Sequence, residues 1–285
     1  MMLALAKYQA LGNSFLVLDQ VVARGRSRRF EALARRLCDP AYGVGADGLL
    51  VLSGSKKQYR VDVYNGDGSW AEQSGNGVRI AAMHLHNTGR LSGRSFELRT
   101  GAGMSRLTVS SGTRLRRIIT ASLGRPNFEV DCIPVKCSGQ YFINHPIRLD
   151  GRPVLASAVS IGNPHLILFC RSFQFDWKTA GARLETASIF PERINVGFVV
   201  VRNKTTIEVR DWERGVGATE SSGTGAAAAV AVAIVLGLVS RTVDVHCPAG
   251  VLTVTWDEAT DQLFIKGPVE FIGAGLFTDG PRARC

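Results

Sequence analysis

Two short segments of the sequence repeat nearly the same residue types. Glu72–Gly77 reads Glu-Gln-Ser-Gly-Asn-Gly, and Glu220–Gly225 reads Glu-Ser-Ser-Gly-Thr-Gly. Each segment leads into a predicted helix. Since the first N–H groups of a helix lack partners and carry partial positive charge, a helix start can hold an anion such as a carboxylate. The sequence therefore predicts two anion cradles, each with a serine at its edge, and one site built from two similar halves.

A serine hydrolase is a second chemistry that these residue types allow. Ser74 or Ser222 would be the nucleophile and His165 the base. Neither serine lies in the Gly-x-Ser-x-Gly context that exposes a nucleophile on a sharp turn. The sequence disfavours this alternative.

The elements that must position the cradles alternate strands with turns. Gly124-Arg125-Pro126-Asn127 interrupts the pattern, and the second half then repeats the order of the first, with a long apolar helix ending near Leu238. We expect an α+β fold of two similar domains, each a mostly antiparallel curled sheet around a central helix. The predicted domains are residues 1–123, with 269–285 returning to them, and residues 124–268.

Length and composition restrict the class of protein. The chain has 285 residues and 45% hydrophobic content, enough for two cores. Its longest apolar run, Ala226–Leu236, falls well short of the roughly 20 residues that a membrane span needs. Six cysteines are scattered without a Cys-x-x-Cys pair, which fits neither a disulfide framework nor a zinc ribbon. We expect a cytoplasmic protein that has no signal peptide and does not bind membranes.

The charge balance points to anionic small molecules. The net charge is +10, from 34 basic and 24 acidic residues, with arginine clusters at positions 24, 26, 28 and 29 and at 114, 116 and 117. Because these clusters lack interleaved aromatic residues, we expect no nucleic-acid partner. His84 and His86 point to different faces of a predicted helix, so no metal site is expected. A homodimer is left open.

A Gly-x-Gly-x-x-Gly match at Gly43–Gly48 resembles a dinucleotide fingerprint. It follows Pro40-Ala41-Tyr42, not a strand, and leads into Leu49–Leu52, which reads as a strand and not a helix. We therefore interpret this match as accidental and expect no nucleotide cofactor.

Taken together, eight segments resemble the diaminopimelate epimerase family, in the family's order and over almost the whole chain. They are Gly12–Phe15, Gly43–Gly48, Asn65–Ser69, Gln73–Arg79, Gly162–His165, Pro191–Phe198, Glu213–Gly217 and Ser222–Gly225. The resemblance implies a cofactor-independent amino-acid epimerase in which two residues flank the α-carbon in a cleft between two domains. One removes a proton and the other returns a proton to the opposite face, without pyridoxal phosphate or metal.

The chain departs from the family at the two proton-transfer positions. The resemblance places these at Ser74 and Ser222, where the family has cysteines. A thiol has a pKa of about 8.5, and a serine hydroxyl is about 4 to 5 pKa units weaker as an available base, which corresponds to about 10⁴-fold in rate. Three explanations stay open: deliberate replacement, a natural relative with altered or slow proton transfer, and a binding protein without turnover. The neighbours Glu220-Ser221 also differ from the family's small apolar pair, which favours the natural relative.

The remaining site residues come from the resemblance. It assigns Asn13, Asn65, Asn163, Asn195 and Arg214 to the distal end of the substrate, with Arg214 gripping a carboxylate and Glu213 accepting from an ammonium group. Backbone N–H groups of Gly75, Asn76, Gly223 and Thr224 would hold the reacting carboxylate. His165 is an auxiliary residue which, like Glu72, Glu213 and Glu220, could approach a serine. We expect a small-molecule amino-acid ligand, diaminopimelate or a close relative.

Overall fold

The structure is a computed structural model that describes residues 2–19, 28–55, 58–149 and 151–278. Arg24 and Arg26 of the first arginine cluster lie outside these residues. The helices are α1 (Arg28–Leu37), α2 (Gly75–Asn87), α3 (Trp177–Glu185) and α4 (Gly223–Val235). The strands are β1 (Met2–Ala10), β2 (Asn13–Asp19), β3 (Gly48–Ser55), β4 (Gln58–Asn65), β5 (Trp70–Ala71), β6 (Ser95–Thr100), β7 (Gly103–Gly112), β8 (Arg116–Gly124), β9 (His145–Leu149), β10 (Arg152–Ser160), β11 (Pro164–Phe169), β12 (Asn195–Asn203), β13 (Thr206–Glu213), β14 (Gly217–Thr219), β15 (Thr242–Cys247), β16 (Gly250–Asp257) and β17 (Gln262–Thr278).

The chain divides into two compact units. Unit 1 comprises Met1–Thr120 and Pro268–Cys285, and unit 2 comprises Ala121–Gly267. The chain passes between units inside β8 and inside β17. Mostly sheet with a few helices is the architecture that the alternating patterns predicted.

In unit 1, sheet strands surround the buried helix α2. Strand β2 pairs in parallel with β3 around the connection that contains α1, and β3 continues antiparallel to β4 and β5. After α2, β6 pairs in parallel with β4. Helix α2 packs against β1, β2, β3, β4, β6 and β7. Its residues from Gly75 to Leu85 are buried, so the surrounding strands fix the position of its start.

Unit 2 has the same sequence of pairings. Strand β11 pairs in parallel with β12 around α3, β12 continues antiparallel to β13 and β14, and β15 returns parallel to β13 after α4. Helix α4 packs against β10, β11, β12, β13 and β16, and it is buried from Gly223 to Ala233. A helix that is apolar on every face fits such surroundings.

Several element boundaries differ from the sequence prediction. Helix α4 ends at Val235 and not near Leu238, because Gly237 adopts a left-handed φ of 68° that closes the helix. The sequence predicts a helix from near Phe175 to Glu185, and α3 begins at Trp177 because the Asp176 carboxylate caps it by accepting the Thr179 N–H. The segments Gln262–Lys266 and Val269–Ile272, which the sequence predicts as two strands, form one strand, β17. The short strands β5 and β14, and also β9, were not predicted.

The Gly43–Gly48 segment lies between α1 and β3, so it neither follows a strand nor opens a helix. The structural context that the sequence predicted for this segment, with a strand and not a helix after it, is confirmed. No helix among the described residues is both long and apolar enough to cross a membrane.

Candidate active site

Helix α2 begins with a serine cap. Ser74 has extended backbone angles (φ −140°, ψ 117°), and its Oγ accepts the N–H of Gly77 at 3.0 Å. A cap of this kind satisfies one of the helix-start donors and leaves the N–H groups of Gly75 and Asn76 without acceptors inside the helix. Ser74 is half-buried, whereas Gly75 and Asn76 are buried. The start of α2 is therefore a helix-start cradle with a hydroxyl at its edge, as the residue pattern predicted.

Side chains behind the α2 cradle hold Asn76 in place. The Asn76 amide donates to Asn13 Oδ1 at 3.2 Å, which joins the cradle to the start of β2. On the other side, the fully buried Arg79 donates to Asn76 Oδ1 and, through Nε, to the Gly75 carbonyl at 3.1 Å. Arg79 ends the family-like segment Gln73–Arg79 but was not predicted as a site residue. Its position shows that a cation lies under this cradle.

Asn65 lies at the end of β4, and its side chain binds within the turn that follows the strand. Its amide donates to Ser69 Oγ at 2.9 Å, and the Asp67 carboxylate accepts the Ser69 N–H at 2.8 Å. None of the contacts described for Asn65 reaches α2. Its predicted contact with a ligand stays a prediction.

Helix α4 begins in the same way as α2. Ser222 is extended (φ −123°, ψ 122°), and its Oγ accepts the N–H of Gly225 at 3.1 Å. The first helical residues, Gly223 and Thr224, are buried, and Ser222 itself is only 4% exposed. The two serines therefore have equivalent cap roles, with Ser222 more shielded from water than Ser74.

A chain of hydrogen bonds connects β11 to the α4 cradle. His165 Nε2 lies 2.9 Å from Asn163 Oδ1, and the Asn163 amide donates to Thr224 Oγ1 at 3.4 Å. Burial, with a smaller contribution from the Arg214 charge, lowers the pKa of His165 from 6.5 to about 3. His165 is thus a neutral imidazole at physiological pH, and it orients Asn163 by donating from Nε2.

This neutral histidine predicts acid sensitivity. The pKa of His165 is depressed in the folded state, so its contribution to the free energy of unfolding is complete above pH 6.5. That contribution is lost as pH falls, because the histidine binds a proton in the unfolded chain but not in the native site. We expect the free energy of unfolding to fall by about 1.4 kcal/mol per pH unit from this group as pH decreases below 6.5. Urea unfolding of the wild type and of His165→Gln at several pH values measures it. The exposed His246→Gln is the control, and parallel stability curves for wild type and His165→Gln would contradict the assignment.

The ends of β12 and β13 are connected by side-chain bonds to backbone. Asn195 donates from Nδ2 to the Pro164 carbonyl at 2.7 Å and accepts the Arg214 N–H at 2.9 Å. Arg214 is exposed and donates through Nη1 to the Glu192 carbonyl at 3.2 Å. Glu213 Oε1 accepts the Thr219 hydroxyl at 3.1 Å. Asn195 is thus a structural tie that also sets the position of Arg214.

The predicted site residues fall into two groups, one in each unit. Unit 1 contains Asn13, Asn65, Ser74, Gly75 and Asn76, and bonds connect Asn13 and Asn76 at the start of α2. Unit 2 contains the remaining predicted residues: Asn163, His165, Asn195, Glu213, Arg214, Ser222, Gly223 and Thr224. Hydrogen bonds join two sets of these, His165 with Asn163 and Thr224, and Asn195 with Arg214.

A buried carboxyl beside Ser222 was missed as a site residue. Asp211 on β13 is 4% exposed and accepts the backbone N–H of Ser222. A signal was present in the sequence, because the alternation Ile207, Val209, Asp211 places an acid where an inward-facing apolar residue is expected.

Comparisons with known proteins identify the family of this chain. The family model for diaminopimelate epimerase matches residues 5–129 and 157–272. A protein named diaminopimelate epimerase from Caldanaerobacter subterraneus is 39% identical, covering 94% of this chain and 97% of that protein. One of the same name from Desulforapulum autotrophicum is 36% identical, covering 96% and 99%.

Among solved structures, a hydroxyproline epimerase from Agrobacterium vitis with bound trans-4-hydroxy-L-proline has a similar fold. It superposes with a TM-score of 0.73 at 13% identity, covering 96% of this chain and 92% of that one. A probable proline racemase from Agrobacterium radiobacter has a TM-score of 0.73 at 15% identity, covering 99% and 94%. The resemblance found in the sequence motifs is confirmed: the chain belongs to the diaminopimelate epimerase family and is an isomerase of the epimerase class.

Proposed function

We propose that this protein is a cofactor-independent epimerase that inverts the α-carbon of diaminopimelate, in the lysine and peptidoglycan precursor pathway. Two capped helix starts with equivalent serines carry the proposal. Units 1 and 2 are the two similar domains of the proposal, each with one buried helix and the same order of strand pairing. In this proposal Ser74 and Ser222 are the two proton-transfer residues.

Substrate recognition follows from the donors and acceptors around the cradles. The N–H groups of the first α2 and α4 residues hold the reacting carboxylate, and they stabilise the charge that spreads onto it when the α-proton leaves. The exposed Arg214 guanidinium binds the distal carboxylate, for which its planar fork is suited. Glu213 accepts from the distal ammonium group, and the asparagines Asn13, Asn65, Asn163 and Asn195 complete the polar set.

Because serines replace thiols at the proton-transfer positions, we expect a slower epimerisation rate than that of an enzyme with two cysteines. The helix-start field supplies about 0.3 to 2 kcal/mol, whereas the difference between hydroxyl and thiol as bases is about 6 kcal/mol. The cradle therefore compensates only a small part of the lost basicity. We propose slow epimerisation in this natural relative.

A second candidate is a diaminopimelate-binding protein without turnover. The observation that favours it is that both serine hydroxyls are engaged as helix caps, each accepting an N–H. A cap has the same geometry whether or not proton transfer occurs. Binding is common to both candidates, so only chemistry at the α-carbon separates them.

Deuterium exchange at the α-carbon separates the two functions. Incubation of LL- or meso-diaminopimelate with the protein in heavy water is followed by proton NMR, with binding measured by calorimetry. We expect binding together with α-deuterium incorporation above the buffer rate. Binding without incorporation would support the binder, and absence of both would contradict the assignment of substrate.

The same proposal places the protein in the cytoplasm. Among the described residues, Cys38, Cys132, Cys137, Cys170 and Cys247 are free thiols, which a reducing compartment maintains.

A further inference from the structure

The inner face of β13 changes from apolar to acidic as it approaches α4. Ile207 and Val209 are fully buried against the core, and Asp211 follows on the same face with 4% exposure. An acid that is buried to this extent costs free energy unless it is protonated or well bonded. Packing alone does not explain why this β13 acid lies beside the start of α4.

Asp211 and Ser222 border the same small volume. The carboxyl accepts the Ser222 backbone N–H. A Cβ added to Gly225 would overlap this carboxyl, whose carbon lies 2.9 Å away, and would also lie 2.9 Å from Ser222 Cβ. Gly225 therefore leaves open the space that the carboxyl and the serine side chain share.

Unit 1 has no carboxyl at the corresponding place. Asp211 pairs with Gly197 on one side and Thr219 on the other, and the equivalent pairs in unit 1 join Val63 to Leu50 and Ala71. Thr219 and Ala71 each precede a cap serine by the same number of residues. A Cβ on Gly77 would accordingly meet Leu50 Cδ2 at 3.0 Å and no acid.

The two cradles also differ in a buried basic residue. Arg79 lies five positions after Ser74 and is fully buried under its cradle, whereas Ala227 occupies the equivalent position after Ser222. One cradle thus has a guanidinium beneath it and the other a carboxyl. Two chemically equivalent serines are placed in opposite electrostatic surroundings.

The charged groups around Asp211 come mainly from its own strand. Burial raises the pKa of Asp211 well above its ordinary value, the Glu213 carboxylate raises it further, and the Arg210 guanidinium lowers it. Over Gly223–Val235 and Gly217–Thr219, α4 and β14 contain no charged residue. On β11, His165 is neutral because its own pKa is lowered. Helix-start N–H groups favour the carboxylate, but burial outweighs them.

We propose that Asp211 is the proton acceptor for Ser222, so that the α4 cradle is the base side of the reaction and the α2 cradle is the proton-return side. The inference rests on the proposed epimerase function. A carboxylate with a raised pKa is better matched to receive a proton from a hydroxyl than an ordinary one. With Asp211 as proton acceptor, Ser222 can remove the α-proton at the α4 cradle, where the family has a cysteine.

The proposed step conserves protons and electrons. The Ser222 O–H bond breaks as its proton passes to an Asp211 oxygen, and a bond forms between Ser222 Oγ and the substrate α-proton. The Cα–H bond breaks, and its electron pair stays on the carbon and spreads into the substrate carboxylate. Ser222 ends neutral, Asp211 ends protonated, and solvent deuterium exchanges with both before return.

A double-mutant cycle tests the proposal through the α-deuterium exchange rate. Asp211→Asn is made in the wild type and in Ser222→Cys, since a thiol needs no such acceptor. We expect about 10²- to 10³-fold loss of exchange in the wild type and no loss in Ser222→Cys. In the wild type, the exchange rate is expected to rise with pH as Asp211, whose pKa is raised by burial, becomes ionised.

Two variants guard against misfolding and general charge effects. Asp211→Val reproduces the packing of Val63 in unit 1 and should lose exchange as Asp211→Asn does. Glu208→Gln removes a carboxylate on the outer face of β13, where it binds Arg202 at 2.7 Å, and should leave exchange unchanged. Equal losses from Asp211→Asn in both backgrounds would show a merely structural role and overturn the proposal, and so would undiminished exchange in the wild type.

A measurement made without substrate tests the pairing of Asp211 with position 222 separately from the epimerase function. In Ser222→Cys, the pH dependence of alkylation of the introduced thiol, followed on its peptide by mass spectrometry, reports the thiol pKa. Adding Asp211→Asn should lower that pKa by at least about 1 unit, because a neighbouring carboxylate raises it. In Ser74→Cys, the same substitution should not move the pKa of the thiol introduced there. No shift for the thiol at position 222 would overturn the proposal even if epimerase activity is found, whereas a shift without diaminopimelate binding would contradict only the substrate.

Discussion

Replacing both serines with cysteine, Ser74→Cys and Ser222→Cys together, should raise the epimerisation rate of diaminopimelate by about 10⁴-fold over the wild type. The reason is the availability of the base, since a thiol with a pKa of about 8.5 at a helix start is partly ionised near neutral pH and a serine hydroxyl is not. The cradles that would hold the substrate carboxylate are unchanged by this substitution. The measurement is the interconversion of LL- and meso-diaminopimelate, resolved by chiral chromatography.

The single variants sharpen this expectation. Each cysteine alone should give less inversion than the double variant, since inversion needs both sides, while α-deuterium exchange should already rise in a single variant. Each loses a cap bond to Gly77 or Gly225, at a cost of about 0.5 to 2 kcal/mol in stability, so folding is checked by urea unfolding. A double variant that folds, binds diaminopimelate and gains no rate would contradict the assignment of Ser74 and Ser222 to proton transfer.

The sequence predicted the two capped helix starts of the site because each is determined by a short segment of neighbouring residues. A serine followed by Gly-x-Gly and an apolar run is enough to predict a capped helix start, and α2 and α4 begin at Gly75 and Gly223 with Ser74 and Ser222 as caps. The mostly sheet architecture also followed from alternating segments. The proton-transfer roles of the two serines depend on the family resemblance and stay predictions.

What the sequence did not reveal depends on contacts between distant segments. The strands β5 and β14 are two and three residues long, so they have no periodicity of their own and exist only through pairing with β4 and β13. The sequence predicts Asp211 only as the last residue of the strand Thr206–Asp211, because its proximity to the Ser222 cap and to the space left by Gly225 arises from folding. Burial of a charged residue is decided by what packs around it, which alternation indicates but does not prove.

Arg79→Ala should be among the most damaging single substitutions in unit 1, with a loss of about 3 to 5 kcal/mol in the free energy of unfolding. The side chain is fully buried, so its removal leaves a cavity and takes away the donor to Asn76 Oδ1 and the Nε bond to the Gly75 carbonyl. Arg79→Lys keeps the charge but not the two-pronged geometry and should lose less. Urea unfolding gives the magnitude, and the exposed Arg99→Ala is the matched control, expected within about 0.5 kcal/mol of wild type.

The functional consequence of Arg79→Lys separates support of the cradle from simple packing. Because Arg79 and Asn13 hold the Asn76 side chain from two sides, loss of one partner frees the residue whose N–H is assigned to the reacting carboxylate. We expect diaminopimelate binding, measured in the lysine variant at a temperature where it is fully folded, to weaken by about tenfold, which is one hydrogen bond's worth of about 1.4 kcal/mol. Unchanged binding in a destabilised but folded variant would show that the hydrogen bonds of Arg79 support the core and not substrate binding.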